Sequence, residues 1–193
     1  MDALIGLVGF AAVTTITPGP NNAMLMASAG ATVGLRGSWR HMAGIMLGFS
    51  AMVLVLGAGL APAVQAHSGL RRVMQAAGLA YVLWLAWKIA QARPSQARTA
   101  GRPVGLWQAA AFQWVNPKAW AMVLAALATY GAALGGPLPV ALAFAAVGLP
   151  CHLLWVVAGA RIARMIDAPD RLRLFNMAMA GIMVLSMLPV LNA

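Results

Sequence analysis

Six consecutive residues, Thr17 to Asn22, combine polar side chains with a backbone that cannot continue an α-helix. The run reads TPGPNN and lies in a segment from Leu4 to Val33 that contains no charged residue. Each proline lacks a backbone N–H and clashes with the carbonyl four residues earlier, and the glycine adds conformational freedom. Freed backbone groups could bind an α-amino group, and the N-terminus of a half-helix that begins near Asn21 could receive a carboxylate. The residues predicted to contact such a ligand are Thr17, Pro18, Gly19, Pro20, Asn21 and Asn22.

The same six residues could instead form a proline kink that only shapes helix packing. Two prolines, one glycine and two asparagines in so short a run favour a ligand site over that alternative. In lipid, a broken backbone is stable only where protein or a water-filled cavity satisfies the freed polar groups. Breaks of this kind at membrane depth are typical of substrate sites in transporters.

A second helix-breaking set, Asn116, Pro117 and Lys118, lies about a hundred residues further along the chain. Lys118 is the one basic residue well inside a predicted span, where a charge is expensive and therefore indicates function. No carboxylate lies within a span to pair with it, so the amine could bind a substrate carboxylate or carry a proton. The alternative is that its four methylenes carry the amine to the membrane interface. We predict that these three residues form the second part of the site.

His152 is a third candidate, because it lies in mid-span beside Pro150 and Cys151. It could carry a proton or form a polar wall of the pocket, and a histidine hydrogen-bonded between helices is the alternative. His41 and His67 are expected in or near loops, with no special role. Gln113 is a candidate to line the pocket.

Acidic residues are almost absent. Asp2, Asp167 and Asp170 are the only acids, and all three fall outside the predicted spans. We therefore predict no metal site and no cofactor, and neither basic amino acids, polyamines nor divalent metals as substrates. No catalytic cluster is visible, which argues against an enzyme. No phosphate-binding loop is visible either, which argues against transport driven directly by nucleotide hydrolysis. If transport is coupled to protons, the proton must be carried by His152, Lys118, the substrate or water.

The composition is typical of a polytopic membrane protein that forms one domain over residues 1–193. Hydrophobic residues make up 62% of the chain and charged residues only 8%, against about half and about a quarter in soluble domains. The net charge of +10 does not indicate nucleic acid, because the thirteen Lys and Arg residues lie scattered at the ends of apolar runs. We predict an all-α fold with six transmembrane helices, at about 4–33, 42–62, 73–91, 105–130, 139–160 and 174–192.

The basic residues also predict the orientation in the membrane. Ten of the thirteen lie in or beside the odd-numbered loops, Arg71 and Arg72 lie on the opposite side, and Lys118 lies within a span. Loops rich in Lys and Arg stay in the cytoplasm, so both termini are expected outside, on the periplasmic face.

The two halves of the chain, about 1–92 and 104–193, echo each other at an offset of 99 to 100 residues. Pro18 recurs as Pro117, and Gly48 recurs as Gly148. Each half has three predicted spans, and an odd number of spans brings the chain to the opposite face of the membrane, so the second half would be inverted relative to the first. The halves would therefore form a 3+3 inverted repeat, with broken helices 1 and 4 meeting near the midplane. Chance alignment of glycines is the alternative. Glycines at small-xxx-small spacing would also suit a homodimer.

Three motifs give the chain a family resemblance: TPGPNNAMLMASAGATVGLRGSWRH from Thr17 to His41, AGIMLGF from Ala43 to Phe49, and FQWVNPKAW from Phe112 to Trp120. With these motifs the chain resembles the LysE/RhtB family of bacterial amino-acid exporters. The stretch AGLAYVLWLAWKIA, from Ala77 to Ala90, looks most like the cysteine and O-acetylserine exporter branch, and threonine and homoserine exporters share the general plan.

The resemblance implies secondary-active efflux across the bacterial inner membrane, driven by the proton gradient. Family members that export basic amino acids carry an acid in the second span, near where this chain has Phe49, and this departure favours a neutral substrate. We therefore predict an exporter of small neutral amino acids or their derivatives, with protons as the coupling ion. Export of other small metabolites and a non-transporting accessory subunit are the alternatives.

Overall fold

The computed structural model describes residues 1–28, 34–60, 66–91, 104–165 and 169–185. Every regular element in these ranges is helical, which confirms the all-α prediction. The α-helices are α1 (Asp2–Ile16), α2 (Pro20–Ser28), α3 (Gly34–Val55), α4 (Ser68–Ala90), α5 (Leu106–Gln113), α6 (Pro117–Ala126), α7 (Pro137–Met165) and α8 (Pro169–Leu185). Short π-helical turns continue two of them: Leu56–Leu60 follows α3, and Leu127–Gly131 follows α6.

The helix is interrupted at both predicted places. The first break, residues 17–19, separates α1 from α2 with a bend of 53°, and Thr17 there is extended at φ −62° and ψ 144°. The second break, residues 114–116, separates α5 from α6. Both following helices begin on a proline, Pro20 and Pro117. Proline suits this position because its missing N–H would have no intrahelical partner there.

Two helices in the described part of the chain are long and apolar enough to cross a membrane, Arg36–Leu60 and Pro137–Ile162. The bent pair of α1 and α2 adds a third if the pair is one span, and Leu79–Ala90 and Arg173–Leu185 are shorter apolar helices. These helices agree with a polytopic membrane protein. The six-span arrangement stays a prediction, and parts of it, at 29–33, 92–103 and 186–192, lie outside the described residues.

The long helices α3 and α7 lie at the centre and pack against each other. Helix α3 also contacts α5, and α7 also contacts α1 and α2. Helix α4 packs against α8. Fully buried side chains such as Leu7, Met52, Val123 and Val140 fill the space between α1, α3, α6 and α7. In lipid such packing stabilises through van der Waals contact rather than removal of apolar surface from water.

Glycines allow α3 to approach α5 closely. A Cβ added at Gly44 or Gly48 would collide with the backbone of α5, and one added at Gly159 of α7 would collide with the backbone of Met26 in α2. The close contact that the Gly44 and Gly48 spacing predicts is therefore made within the chain, between α3 and α5.

Candidate functional site

A partly open cleft, with an envelope of about 530 Å³ that includes open solvent, lies between the first break, α3, α6 and α7. Its apolar wall includes Ile45, Met46, Phe49, Met122 and Phe144, and its polar groups include Thr14, Thr15, Asn21, Asn22, Asn116, Lys118 and His152. None of the described residues that line it is acidic.

The Lys118 ammonium joins the two breaks. Its Nζ donates to the Thr17 carbonyl at 2.9 Å, to Thr17 Oγ1 at 2.9 Å and to the Pro18 carbonyl at 3.1 Å. We call these three oxygens the Thr17–Pro18 cage. Because an ammonium group has three N–H donors, the cage uses all of them. Lys118 is therefore directed at the first break.

Two local features allow the Lys118 side chain to reach the cage: the capped N-terminus of α6 and the absence of a side chain at residue 19. Asn116 caps α6, since its Oδ1 accepts a hydrogen bond from the backbone N–H of Lys118 at 3.2 Å. A Cβ added at Gly19 would lie only 2.9 Å from Lys118 Cδ and 3.0 Å from its Nζ. Glycine therefore leaves the room through which the lysine side chain reaches the cage.

Side chains also satisfy the other backbone carbonyls that the first break frees. Asn22 Nδ2 donates to the Thr15 carbonyl at 2.7 Å and to the Thr17 carbonyl at 2.9 Å. Trp155 Nε1, on α7, donates to the Ile16 carbonyl at 3.2 Å. The protein itself thus meets the condition for a broken backbone in lipid.

A pair of side-chain amides forms the second connection between the breaks. Asn21 Nδ2 donates to Gln113 Oε1 at 2.9 Å, and Gln113 Nε2 donates to Asn21 Oδ1 at 3.1 Å. Gln113 is fully buried at the end of α5 and also donates to the Ala109 carbonyl. Gln113 belongs to the packing behind the cleft, because it is not among the residues that line it.

Two histidines, one on α7 and one on α3, are buried in the structure. His152 on α7 lines the cleft and is 5% exposed, and His41 on α3 is fully buried. Among the described residues, His152 Nδ1 and both ring nitrogens of His41 have no hydrogen-bond partner.

The prediction that His41 lies in or near a loop was wrong. α3 begins at Gly34, well before the predicted start of the second span, so His41 lies within a helix. Its neighbour Arg40 is exposed while His41 is buried, because adjacent residues point about 100° apart around a helix. His67, by contrast, is exposed at the start of α4, as expected.

The structure brings most of the predicted site residues to one place. Those that line the cleft are Gly19, Pro20, Asn21, Asn22, Asn116, Lys118 and His152. Thr17 and Pro18 contact Lys118 from outside the lining, and Pro117 is the buried first residue of α6. The apolar wall on α3, α6 and α7 was not predicted. Phe49 and Phe144 meet in that wall with ring centroids 4.8 Å apart.

The lining of the cleft carries one ammonium group and the side-chain amides of Asn21, Asn22 and Asn116. It offers no carboxylate to a cationic ligand, and no group of three or more potential metal ligands occurs among the described residues. A family model described as LysE type translocator matches residues 12–188. The chain belongs to the LysE family.

Relatives of this LysE-type translocator include proteins named cysteine/O-acetylserine efflux protein. The protein from Klebsiella pneumoniae subsp. pneumoniae is 35% identical over 151 residues, covering 76% of each chain. Those from Salmonella typhi and Escherichia coli strain K12 are 36% and 34% identical over 152 residues, covering 76% of this chain and 77% of theirs. No solved structure matches the chain.

Membership of the LysE family agrees with the helices and the cleft. A translocator of this family is a transporter and not an enzyme. The resemblance drawn from the TPGPNN and NPKA motifs is confirmed.

Proposed function

We propose that this LysE-type translocator exports small neutral amino acids or their derivatives across the bacterial inner membrane. The observation that carries the proposal is the cleft between the two breaks, which has one ammonium group and no carboxylate among its described lining residues. A zwitterion can use the ammonium, the amides and the freed backbone oxygens at once. The relatives named for cysteine and O-acetylserine efflux support the same substrate class.

The substrate's two charged groups would be held by different parts of the cleft. Its α-ammonium group would bind the carbonyl oxygens of the first break, around Thr17 and Gly19. Its carboxylate would bind Lys118 and the N-terminus of α2, which begins at Pro20, because helix N-termini favour anions. The side chain would then face the wall formed by Met46, Phe49 and Phe144.

We propose that the chain has six spans in one domain, arranged as an inverted repeat. The packing supports this, because equivalent helices of the two halves pair: α3 with α7, and α4 with α8. The second helix of each half also packs along the first segment of the other half's broken span, α3 along α5 and α7 along α1. Rocking of the two halves would open the cleft to each side of the membrane in turn.

We propose both termini outside, from the positive-inside rule, and protons as the coupling ion. His152 and His41 support proton coupling, because both imidazoles are buried, three of their ring nitrogens have no hydrogen-bond partner in the described structure, and an imidazole can take up a proton near neutral pH when its surroundings become more polar.

The proposal is tested by counterflow in proteoliposomes. Vesicles that contain the protein are loaded with an unlabelled amino acid and placed in medium with trace labelled L-cysteine or O-acetyl-L-serine. We expect neutral amino acids inside to drive uptake of the label, and L-lysine or L-arginine inside to fail. Uptake driven as strongly by basic amino acids would contradict the neutral substrate class, and no uptake with any amino acid would favour another metabolite as cargo.

A further inference from the structure

The Lys118 ammonium occupies the position that the proposed function assigns to the substrate's α-ammonium group. In the structure the three N–H donors of Nζ bind the Thr17 carbonyl, Thr17 Oγ1 and the Pro18 carbonyl. An α-ammonium group has the same charge and the same three donors. The two groups are therefore equivalent ligands of one cage and cannot occupy it together.

We propose that Lys118 is an internal stand-in for the substrate's ammonium group. The arriving zwitterion displaces it from the Thr17–Pro18 cage, and the released lysine then binds the substrate's carboxylate. This inference rests on the proposed function and adds an exchange step to it. Its consequence is that a good substrate must carry both charges.

The exchange is favourable only for a zwitterion. The substrate's ammonium group restores the hydrogen bonds of the cage, while Lys118 trades neutral oxygens for a carboxylate, which is the stronger partner. A ligand without a carboxylate displaces the lysine and leaves its charge unpaired, because no acid lies among the described lining of the cleft. A ligand without an ammonium group draws the lysine away, which leaves the Pro18 carbonyl without this donor and the Thr17 carbonyl with only the hydrogen bond from Asn22.

Gly19 supports the same inference. Its φ is not in the left-handed region, in contrast to those of Gly59, Gly135 and Gly136, so the backbone itself does not require glycine there. A Cβ at this position would lie 2.9 Å from Lys118 Cδ. A methyl group at residue 19 would therefore require the Lys118 side chain to shift from its present position.

Three thiols that differ only in their charged groups test the exchange. L-cysteine carries both charges, cysteamine lacks the carboxylate, and 3-mercaptopropionate lacks the ammonium group. Binding of each is measured by isothermal titration calorimetry on purified protein in detergent under reducing conditions. The proteins compared are the parent, Lys118→Met and, as a control, Lys88→Met. Lys88 is the other lysine of the chain, exposed on α4 with its Nζ over the Trp84 ring.

In the parent we expect L-cysteine to bind best. In Lys118→Met the cage has no internal occupant, so the affinity for cysteamine should rise about tenfold over the parent if the lysine leaves the cage free in roughly one molecule in ten. Affinity for L-cysteine should fall. Lys88→Met should bind all three thiols as the parent does.

The absolute rise in cysteamine affinity is the decisive result. A lysine that only binds the carboxylate, without occupying the ammonium site, would lower the affinity for L-cysteine and leave that for cysteamine unchanged, which overturns the exchange. If the parent binds no L-cysteine, the proposed substrate is wrong, but a rise in cysteamine affinity in Lys118→Met would still support the exchange.

A second variant keeps the test valid if Lys118→Met does not fold. Gly19→Ala places a methyl group against the lysine stem and should push the charged lysine out of the cage, so cysteamine affinity should again rise. Unchanged or lower cysteamine affinity in Gly19→Ala would contradict the exchange. Where Lys118→Met does fold, Gly19→Ala should add nothing in the double variant, because the methyl group then meets no lysine, and equal effects of Gly19→Ala in both backgrounds would also contradict the exchange.

Discussion

Asn21 and Gln113 exchange two hydrogen bonds, at 2.9 and 3.1 Å, although 92 residues separate them in the chain. Asn21 lies in the first turn of α2 and Gln113 is the last residue of α5, so the pair joins the helices beside the two breaks. Together with the hydrogen bonds of Lys118 it connects the two breaks. The proposed site between the breaks depends on such connections.

Gln113→Leu should destabilise the protein. The change removes both bonds to Asn21 and leaves polar groups without partners, at a cost of about 1–3 kcal/mol. For a chain of this size, where 1 kcal/mol corresponds to about 2–4 °C, we expect the Tm in detergent to fall by about 2–12 °C. Gln108→Leu is the control, because Gln108 is exposed on the same helix. Equal Tm values for the two variants would contradict the proposed role of the amide pair.

Phe49→Asp should extend transport to cationic amino acids. Phe49 lines a cleft whose described lining lacks any carboxylate, so a new aspartate would give a cationic side chain its first acidic partner. We expect L-lysine to drive counterflow in Phe49→Asp and not in the parent. Phe49→Asn is the matched control, since it is polar and similar in size to aspartate but uncharged. Lysine counterflow in both variants would mean that space, and not charge, excludes lysine.

His152→Gln should uncouple transport from the proton gradient. Glutamine keeps a polar group in the cleft wall but cannot take up a proton near neutral pH. We expect uptake of labelled L-cysteine under an imposed pH gradient to fall to the level without a gradient. In His67→Gln, where the exposed histidine lies away from the cleft, the gradient should still increase uptake. If His152→Gln responds to the gradient as the parent does, His152 does not carry the coupled proton.

Gly48→Val should separate α3 from α5. The new Cβ would meet the Ala110 backbone, which cannot move aside as a flexible side chain could. We expect a loss of about 1–3 kcal/mol in stability and a lower Tm in detergent. Gly9→Ala is the control, because nothing lies within 4 Å of a Cβ there and alanine favours a helix. Its Tm should stay level or rise, and a fall equal to that of Gly48→Val would indicate a general intolerance of added methyl groups.

The two breaks could be predicted from the sequence because their cause is local. Pro20 and Pro117 each begin a helix, and a proline acts on the backbone within four residues of itself. The lack of acids in the cleft was equally visible, because Asp2 and Asp170 lie in the first turns of α1 and α8 and not among its described lining residues. Local chemistry therefore identified seven of the residues that line the cleft, but not its apolar wall.

The partners of those residues could not be predicted, because they depend on packing between distant parts of the chain. The Lys118 amine was expected to bind a substrate carboxylate or to carry a proton. In the structure it donates hydrogen bonds to oxygens of Thr17 and Pro18, about a hundred residues earlier in the chain. His41 was misplaced because the neighbouring arginines suggested a loop, although they lie on a long helix that also has a buried face. Helix rotation and close approach decide such details, and neither is visible in residue spacing.

The measurement that tests the central claim most directly is L-cysteine counterflow in three proteins: the parent, Lys88→Met and Lys118→Met. Lys118 is the one described residue that connects the second break to the oxygens of the first through a charged group. If the substrate binds between the breaks, the parent and Lys88→Met should exchange L-cysteine alike. Lys118→Met should lose exchange by about tenfold or more, as expected when a charge-assisted bond of at least 1.4 kcal/mol is removed. Equal exchange by all three proteins would contradict a transport site between the two breaks.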